Sequence, residues 1–181
     1  PIVKSMIELM GGSIQVESTQ GVGTKFTVDI SFDTASEADV YRNQISEQPD
    51  ILEKLEGKRI LLAEDNDLNA EIAIELLAEQ KIITDRAEDG AECLDKLEKA
   101  VAGYYDMILM DIQMPVMDGY DAAARIRRMK DEKKASIPIV AMTANAFAED
   151  RQKAISMGMN DHVAKPIDMN VLLPVIAKYI R

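Results

Sequence analysis

Cysteine and histidine are almost missing from this chain: its 181 residues include one of each, Cys93 and His162. A single cysteine excludes internal disulfides and fits a reducing compartment. One cysteine and one histidine also cannot supply the four ligands of a soft zinc site. Basic residues are in deficit, with 21 Lys and Arg against 32 Asp and Glu and a net charge of −11. Nucleic acid is therefore excluded as a direct partner, because phosphate binding needs a basic face. No apolar run approaches the ~20 residues of a membrane span, so no membrane contact is expected of this stretch. The opening "PIVKSMIELMGG" lacks the basic end and long apolar core of a signal peptide. Without an initiator methionine the chain is expected to be a piece of a longer protein. Its expected location is cytoplasmic, whether or not that parent is membrane-anchored.

Apolar residues are plentiful at 47%, enough for one full domain and a smaller piece. The composition changes near residue 33. From Asp33 to Gly57 seven acidic residues face only Arg42 and Lys54. Apolar periodicity is weak there until Ile51, Leu52 and Leu55, which can form a short amphipathic turn. Residues 33–57 read as an acidic linker. Ahead of it, "IVKSMIELM" has helical spacing and stops at Gly11-Gly12. "SIQVES" and "KFTVDISF" alternate as strands around "TQGVGT". One helix and two strands offer no second layer for their apolar faces, so residues 1–32 are too little to stand alone.

This first piece resembles the last segment of the ATP-binding domain of sensor histidine kinases. The resemblance is carried by "VKSMIELMGGSIQVES" and by Gly21-Val22-Gly23-Thr24-Lys25-Phe26. The family's Asn-bearing helix, its DxGxG loop and most of its lid have no counterpart in this chain. The resemblance therefore implies a C-terminal remnant that binds no ATP.

From Lys58 to Arg181 strand and helix patterns alternate five times. "RILLAED", "KIITDRA", "YDMILMD", "IPIVAMTA" and the short "DHVAKP" read as strands. Helices follow in "LNAEIAIELLAEQ", "AECLDKLEKAV", "YDAAARIRRMK", "AEDRQKAISMG" and "MNVLLPVIAKYI". Apolar strands alternating with helices imply an α/β domain with a parallel sheet covered on both faces. Such doubly wound sheets place their sites at the carboxyl ends of the strands.

The residues at those ends are Glu64 and Asp65, then Asp111, then Thr143, then Lys165 and Pro166. Asp67 and Asp89, just before helices, read as caps. Three carboxylates on one rim repel one another, at about 4 kcal/mol for two unit charges ~4 Å apart and an effective dielectric of ~20. A hard divalent cation relieves that repulsion, and oxygen ligands point to Mg²⁺. Lys165 adds a fixed positive charge and Thr143 a hydroxyl donor. The set suits a dianionic phosphoryl group attached to Asp111, or passing through it.

With those residues placed, Lys58 to Arg181 resembles a response-regulator receiver domain, and Met114-Pro115 and Asp118-Gly119 mark its loop after the phosphoacceptor strand. The resemblance implies a flavodoxin-like, five-stranded sheet in the order 2-1-3-4-5. It implies Asp111 as acceptor of a phosphoryl group from a phosphohistidine on a kinase or phosphotransfer domain. Glu64, Asp65, Asp111 and the backbone carbonyl of Gln113 would hold Mg²⁺, while Thr143 and Lys165 bind phosphoryl oxygens. It also implies a cis Lys165–Pro166 bond and a switch pairing Thr143 with position 162. Receivers usually carry Tyr or Phe there, and this chain has His162. Period two puts His162 and Lys165 on opposite faces of their strand, so His162 is expected toward the outer surface.

A remnant of a kinase, an acidic linker and a receiver together resemble the end of a hybrid sensor histidine kinase. Three other readings compete with the phosphoacceptor. A haloacid-dehalogenase-type phosphatase wants a second Asp two residues after the nucleophile, and Gln113 stands there. A flavin-binding flavodoxin shares the sheet order, but an acidic rim repels a flavin phosphate. A receiver used only for docking does not require the full acceptor set.

Overall fold

The computed structural model describes residues 4, 7, 11–19, 21, 23–30, 54–143 and 148–180, with the backbone alone at 148–151. The chain divides into two compact units, Pro1–Asn43 and Gln44–Arg181. Most of the acidic linker expected at 33–57 lies outside the described residues.

In the first unit Lys4 and Ile7 are helical. Gly11 has a positive φ of 74°, and the Gly12 N–H donates to the Ile7 carbonyl at 2.9 Å, the stop expected of the glycine pair. Strands β1 (Ser13–Thr19) and β2 (Gly23–Asp29) pair antiparallel, with Val16 opposite Phe26. Val16, Val28 and Phe26 are all exposed.

The second unit is built on a five-stranded sheet in the order β4-β3-β5-β6-β7, every neighbouring pair parallel. Its strands are β3 (Arg59–Ala63), β4 (Ile83–Ala87), β5 (Met107–Asp111), β6 (Ile139–Thr143) and β7 (Asp161–Ala164). The helices are α1 (Asp67–Glu79), α2 (Gly90–Lys99), α3 (Gly119–Ile126), the short α4 (Glu132–Ala135), α5 (Ala148–Ser156) and α6 (Met169–Tyr179). Numbered within this unit the order is 2-1-3-4-5, as expected. Strands β5 and β6 are buried at every position, the result of helices lying on both faces.

Alternation along the strands sorts the core into two layers. Leu61, Ile108, Met110 and Ile139 pack with Cys93, Leu97 and Ile126 from α2 and α3. Ile60, Leu62, Met107, Leu109 and Met142 pack with Leu77 from α1 and Leu172 and Ile176 from α6. Leu55, fully buried, belongs to this second layer, so the core begins before the expected end of the linker. Burial pushes the Cys93 thiol up to about 12, and the side chain serves as a small apolar filler.

The helix expected through Lys130 ends at Ile126, and α4 forms in a stretch without a clear apolar pattern. Arg127, the C-cap of α3, is committed to later segments. Its guanidinium donates to the carbonyls of Ala135 (2.7 Å), Ile137 (2.8 Å) and Gly158 (2.7 Å) and to Asn160 Oδ1 (2.8 Å). It ties together the segments that enter β6 and β7, at the sheet end opposite the acidic rim. Desolvation lowers the pKa of the half-buried guanidinium without neutralising it.

Arg127→Ala leaves three carbonyls without their charged donor and is expected to cost about 2–4 kcal/mol. Urea unfolding measures this as a lower midpoint at unchanged slope; a loss under about 0.5 kcal/mol would show that water replaces the guanidinium.

Candidate functional site

At the carboxyl end of the sheet a cleft of about 350 Å³ is lined by Glu64, Asp65, Asn66, Asn69, Asp111, Ile112, Gln113, Tyr120, Thr143 and Lys165. The larger hollow of about 650 Å³ near Tyr104 and Tyr105 has a single acidic residue in its lining, Asp85. Every rim residue expected from the sequence except Pro166 lines this cleft.

Asp111 ends β5, one register step beyond Met110, which pairs with Ala63 of β3. The carboxylate is therefore delivered by a strand that is wholly buried. The chain turns back at once: Gly119 N–H donates to the Ile112 carbonyl at 3.0 Å. A Cβ on Gly119 would overlap the Asp111 carbonyl oxygen, which is why glycine follows Asp118 here. Asp118 itself caps α3 by accepting from Asp121 N at 2.8 Å.

Glu64 and Asp65 follow β3. Arg86, near the end of β4, donates to their main-chain carbonyls at 3.1 and 3.2 Å and pairs with Asp67 at 2.7 Å. The cap of α1 is Asn66, which accepts from Asn69 N at 3.0 Å, and Asp67 is the first helical residue. Asp67 as a cap is thereby corrected: its carboxylate is taken by Arg86. Asp89 does cap α2, through Ala91 N and Glu92 N.

Glu64 is 2% exposed and Asp111 6%. One cation stands between them: Lys165 Nζ is 2.5 Å from Glu64 Oε2 and 2.6 Å from Asp111 Oδ2. Lys165 is carried just past β7, its N–H donating to the Thr143 carbonyl at 2.7 Å, and the Lys165–Pro166 bond is cis. Desolvation by itself would lower the Lys165 pKa, but the hydrogen bonds to Asp111 and Glu64 outweigh it and the net shift is upward. Asp111 is also shifted upward, chiefly by desolvation, with Glu64 adding to the rise and Lys165 opposing it. Both partners rising is not the signature of a balanced ion pair. One ammonium is shared by two buried carboxylates, and it leaves Asp111 undercompensated.

Carboxylate oxygens of Glu64, Asp65 and Asp111 lie within 4.8 Å of one another. Asp65 is exposed, so the trio opens to solvent on one side. Hard oxygen donors around an undercompensated negative charge, with room for retained waters, fit a Mg²⁺ ion. Gln113 N–H approaches Asp111 Oδ1 at 3.3 Å, which places its main chain on the wall of the cleft. Thr143, the last residue of β6, is 7% exposed.

The sequence reading missed Asn69, Arg86 and Tyr120. Asn69 Nδ2 donates to Glu64 Oε1 at 3.1 Å, and Lys153 of α5 lies 4.3 Å above the Tyr120 ring. Each joins elements distant in sequence or turns on side-chain direction, and only the "EDNDLN" cluster hinted at one of them.

The response regulator receiver domain model matches residues 60–177, well over half of the chain. The chain belongs to the response regulator receiver domain family. This receiver is 33% identical over 171 residues to the sensor protein EvgS of Escherichia coli K12, which covers 94% of this chain and 14% of that protein. It spans between 4% and 14% of the length of such curated relatives. Among solved structures it resembles the receiver domain of sensor histidine kinase PA1611 from Pseudomonas aeruginosa, described with a magnesium ion coordinated in its active-site cleft. That match has TM-score 0.61 and 36% identity, over 68% of this chain and 97% of the other. It also resembles the receiver of the Saccharomyces cerevisiae response regulator Ssk1, crystallised with the histidine phosphotransfer protein Ypd1 (TM-score 0.62, 31% identity, 69% of this chain and 90% of the other).

His162 lies in β7 opposite Ala141 of β6. It is half-buried rather than outward, with 20% of its side chain exposed. Its Nδ1 is 3.7 Å from Asp161 Oδ1, too far for a hydrogen bond, and is buried without a partner among the described residues. Asp161 instead accepts from Lys178 Nζ (2.9 Å), Tyr179 Oη (3.1 Å) and His162 N (3.0 Å), fastening β7 to α6. Desolvation opposes ionisation of Asp161, yet these three donors together hold its pKa below the ordinary carboxylate value.

A depressed folded pKa means stability that is present above the unfolded value and lost as pH falls through the folded one. Asp161→Asn is expected to lower Tm at pH 7, with the gap to the parent closing at acid pH below the ordinary carboxylate range. A gap that stays constant with pH would show that packing, not charge, holds this corner.

Proposed function

We propose that Asp111 of this receiver accepts a phosphoryl group from a phosphohistidine on a kinase or phosphotransfer domain, with Mg²⁺ as cofactor. The observation that carries this reading is the ammonium of Lys165 held between Asp111 and Glu64 on a rim that also presents Asp65 and Thr143. Glu64, Asp65, Asp111 and the Gln113 carbonyl would hold the ion. When bound, Mg²⁺ offsets the negative charge gathered by the carboxylates and the incoming phosphoryl oxygens.

The remaining work falls to the protein's own groups. An Asp111 carboxylate oxygen attacks phosphorus, an acyl–phosphate bond forms and the N–P bond of the donor breaks. The imidazole leaves with that electron pair and takes a proton from solvent. Lys165 stays charged and turns toward the transferred oxygens, and Thr143 donates its hydroxyl to one of them. Gln113, two residues after Asp111, has no proton to give as a general acid, which disfavours a phosphatase.

The domain organisation follows the same reading: residues 1–32 as the end of a kinase ATP-binding domain, 33–57 as an acidic linker and 58–181 as the receiver of a hybrid sensor histidine kinase. The similarity to EvgS supports it, because 171 aligned residues extend beyond the receiver. A cytoplasmic location agrees with this assignment. No helix among the described residues is long and apolar enough to cross a membrane.

Incubation with Mg²⁺ and acetyl phosphate is expected to add one phosphoryl group by intact mass, sensitive to hydroxylamine. Asp111→Asn abolishes it, whereas Asp65→Asn weakens Mg²⁺ binding by about tenfold or more through loss of one ligand charge. Undiminished labelling of the Asp111 variant, or none of the parent, overturns the assignment.

Thr143 and His162 form the switch in this reading. As the Thr143 hydroxyl moves toward the phosphoryl group, the His162 ring changes its burial, and the β7 face changes with it. The ring resonances of His162 are therefore expected to shift between the free and beryllofluoride-treated protein. Identical resonances in both states leave His162 outside the switch.

A further inference from the structure

Asn69 stands in the first turn of α1, and its two halves do different things. Its main-chain N–H is held by the cap residue Asn66 at 3.0 Å. Its side-chain amide reaches back five residues to Glu64 Oε1 at 3.1 Å. The other oxygen of Glu64 is the one that Lys165 holds at 2.5 Å. Asn69, Glu64 and Lys165 also line an adjoining cavity of about 270 Å³, more apolar than the cleft and completed by Ile72, Pro166 and Ile167. The three side chains are thus the partition between an apolar hollow and the acidic cleft.

We infer that Asn69 is a positioning residue for the Glu64 carboxylate, orienting it toward the Mg²⁺ site without neutralising it. The inference rests on Glu64 being a metal carboxylate, as proposed above. Glu64 has one more rotatable bond than an aspartate, and its carboxylate can swing toward either cavity. Lys165 alone cannot settle that choice, because its ammonium is shared with Asp111 and is drawn to the phosphoryl oxygens once phosphate arrives. A neutral amide donor fixes one oxygen at no cost in negative charge, so the cation meets the full charge of the carboxylate. Outer-sphere donors of this kind typically change metal affinity by about 10–100-fold when removed.

The test is a calorimetric Mg²⁺ titration of the full chain in four forms: parent, Asn69→Leu, Glu64→Ala and the double variant. Asn69→Leu keeps the shape and loses the donor. Asn69→Ser, whose hydroxyl is too short to reach Glu64, repeats the measurement if leucine disturbs the start of α1. Loss of the donor is expected to weaken Mg²⁺ about tenfold when Glu64 is present and to change nothing in the Glu64→Ala background. A role in merely supporting α1 would lower affinity equally in both backgrounds, and that result overturns the inference. Parent-like affinity in both Asn69 variants overturns it as well. If the parent itself takes up no Mg²⁺, the metal reading fails first and this role falls with it, a result separable from the other two because no variant then differs.

Discussion

The sharing of one ammonium by two buried carboxylates is the constraint on which this receiver's rim is built. Glu64 and Asp111 are each nearly removed from water, and either one unpaired would be costly to keep ionised. Lys165 supports both, yet a single positive charge cannot balance two negatives with Asp65 beside them. Burial is the main cause of the upward shift at Asp111, and the charge of Glu64 adds to it. A site in this condition favours whatever brings positive charge. The charge count by itself therefore suits this rim to a divalent cation.

The fold supplies the geometry that makes the sharing possible. Glu64, Asp111 and Lys165 come from three places far apart in the chain, and a parallel sheet brings their strand ends to one edge. Precision comes from the backbone around them. Arg86 holds the carbonyls of Glu64 and Asp65, Gly119 presses its Cα against the Asp111 main chain, and the Lys165 N–H is tied to Thr143. Arg127 performs a comparable task at the opposite end, where no chemistry is proposed. The two arginines show the same physical use of the guanidinium fork: several carbonyls held by one planar group, consecutive ones at Arg86 and ones from separate segments at Arg127.

The first unit presents a different balance. Its hairpin pairs Val16 with Phe26 and leaves both exposed, while Ile7 ahead of it is buried. The acidic stretch that follows carries negative charge with little apolar surface, whereas Leu55 already lies in the receiver core.

Apolar periodicity by itself marked out the five strands and the five longer helices that cover them. Burial is dictated by side-chain chemistry, and spacing along the chain reports it directly. The residues at strand ends, Glu64, Asp65, Asp111, Thr143 and Lys165, were legible for the same reason: an apolar run that stops on a polar group marks an edge. What only the tertiary structure decided is how those groups share charge and what holds them. Sequence assigned the cap of α1 to Asp67, but Arg86 from the neighbouring strand claims that carboxylate and leaves the cap to Asn66. It carried α3 through Lys130, but Arg127 is needed by carbonyls of segments that come later in the chain. It turned His162 outward, and packing at β7 half-buries it. These outcomes were settled by hydrogen-bond partners and by packing that meet across the fold. No local pattern encodes such meetings, because the partners acquire their distances only when the sheet forms.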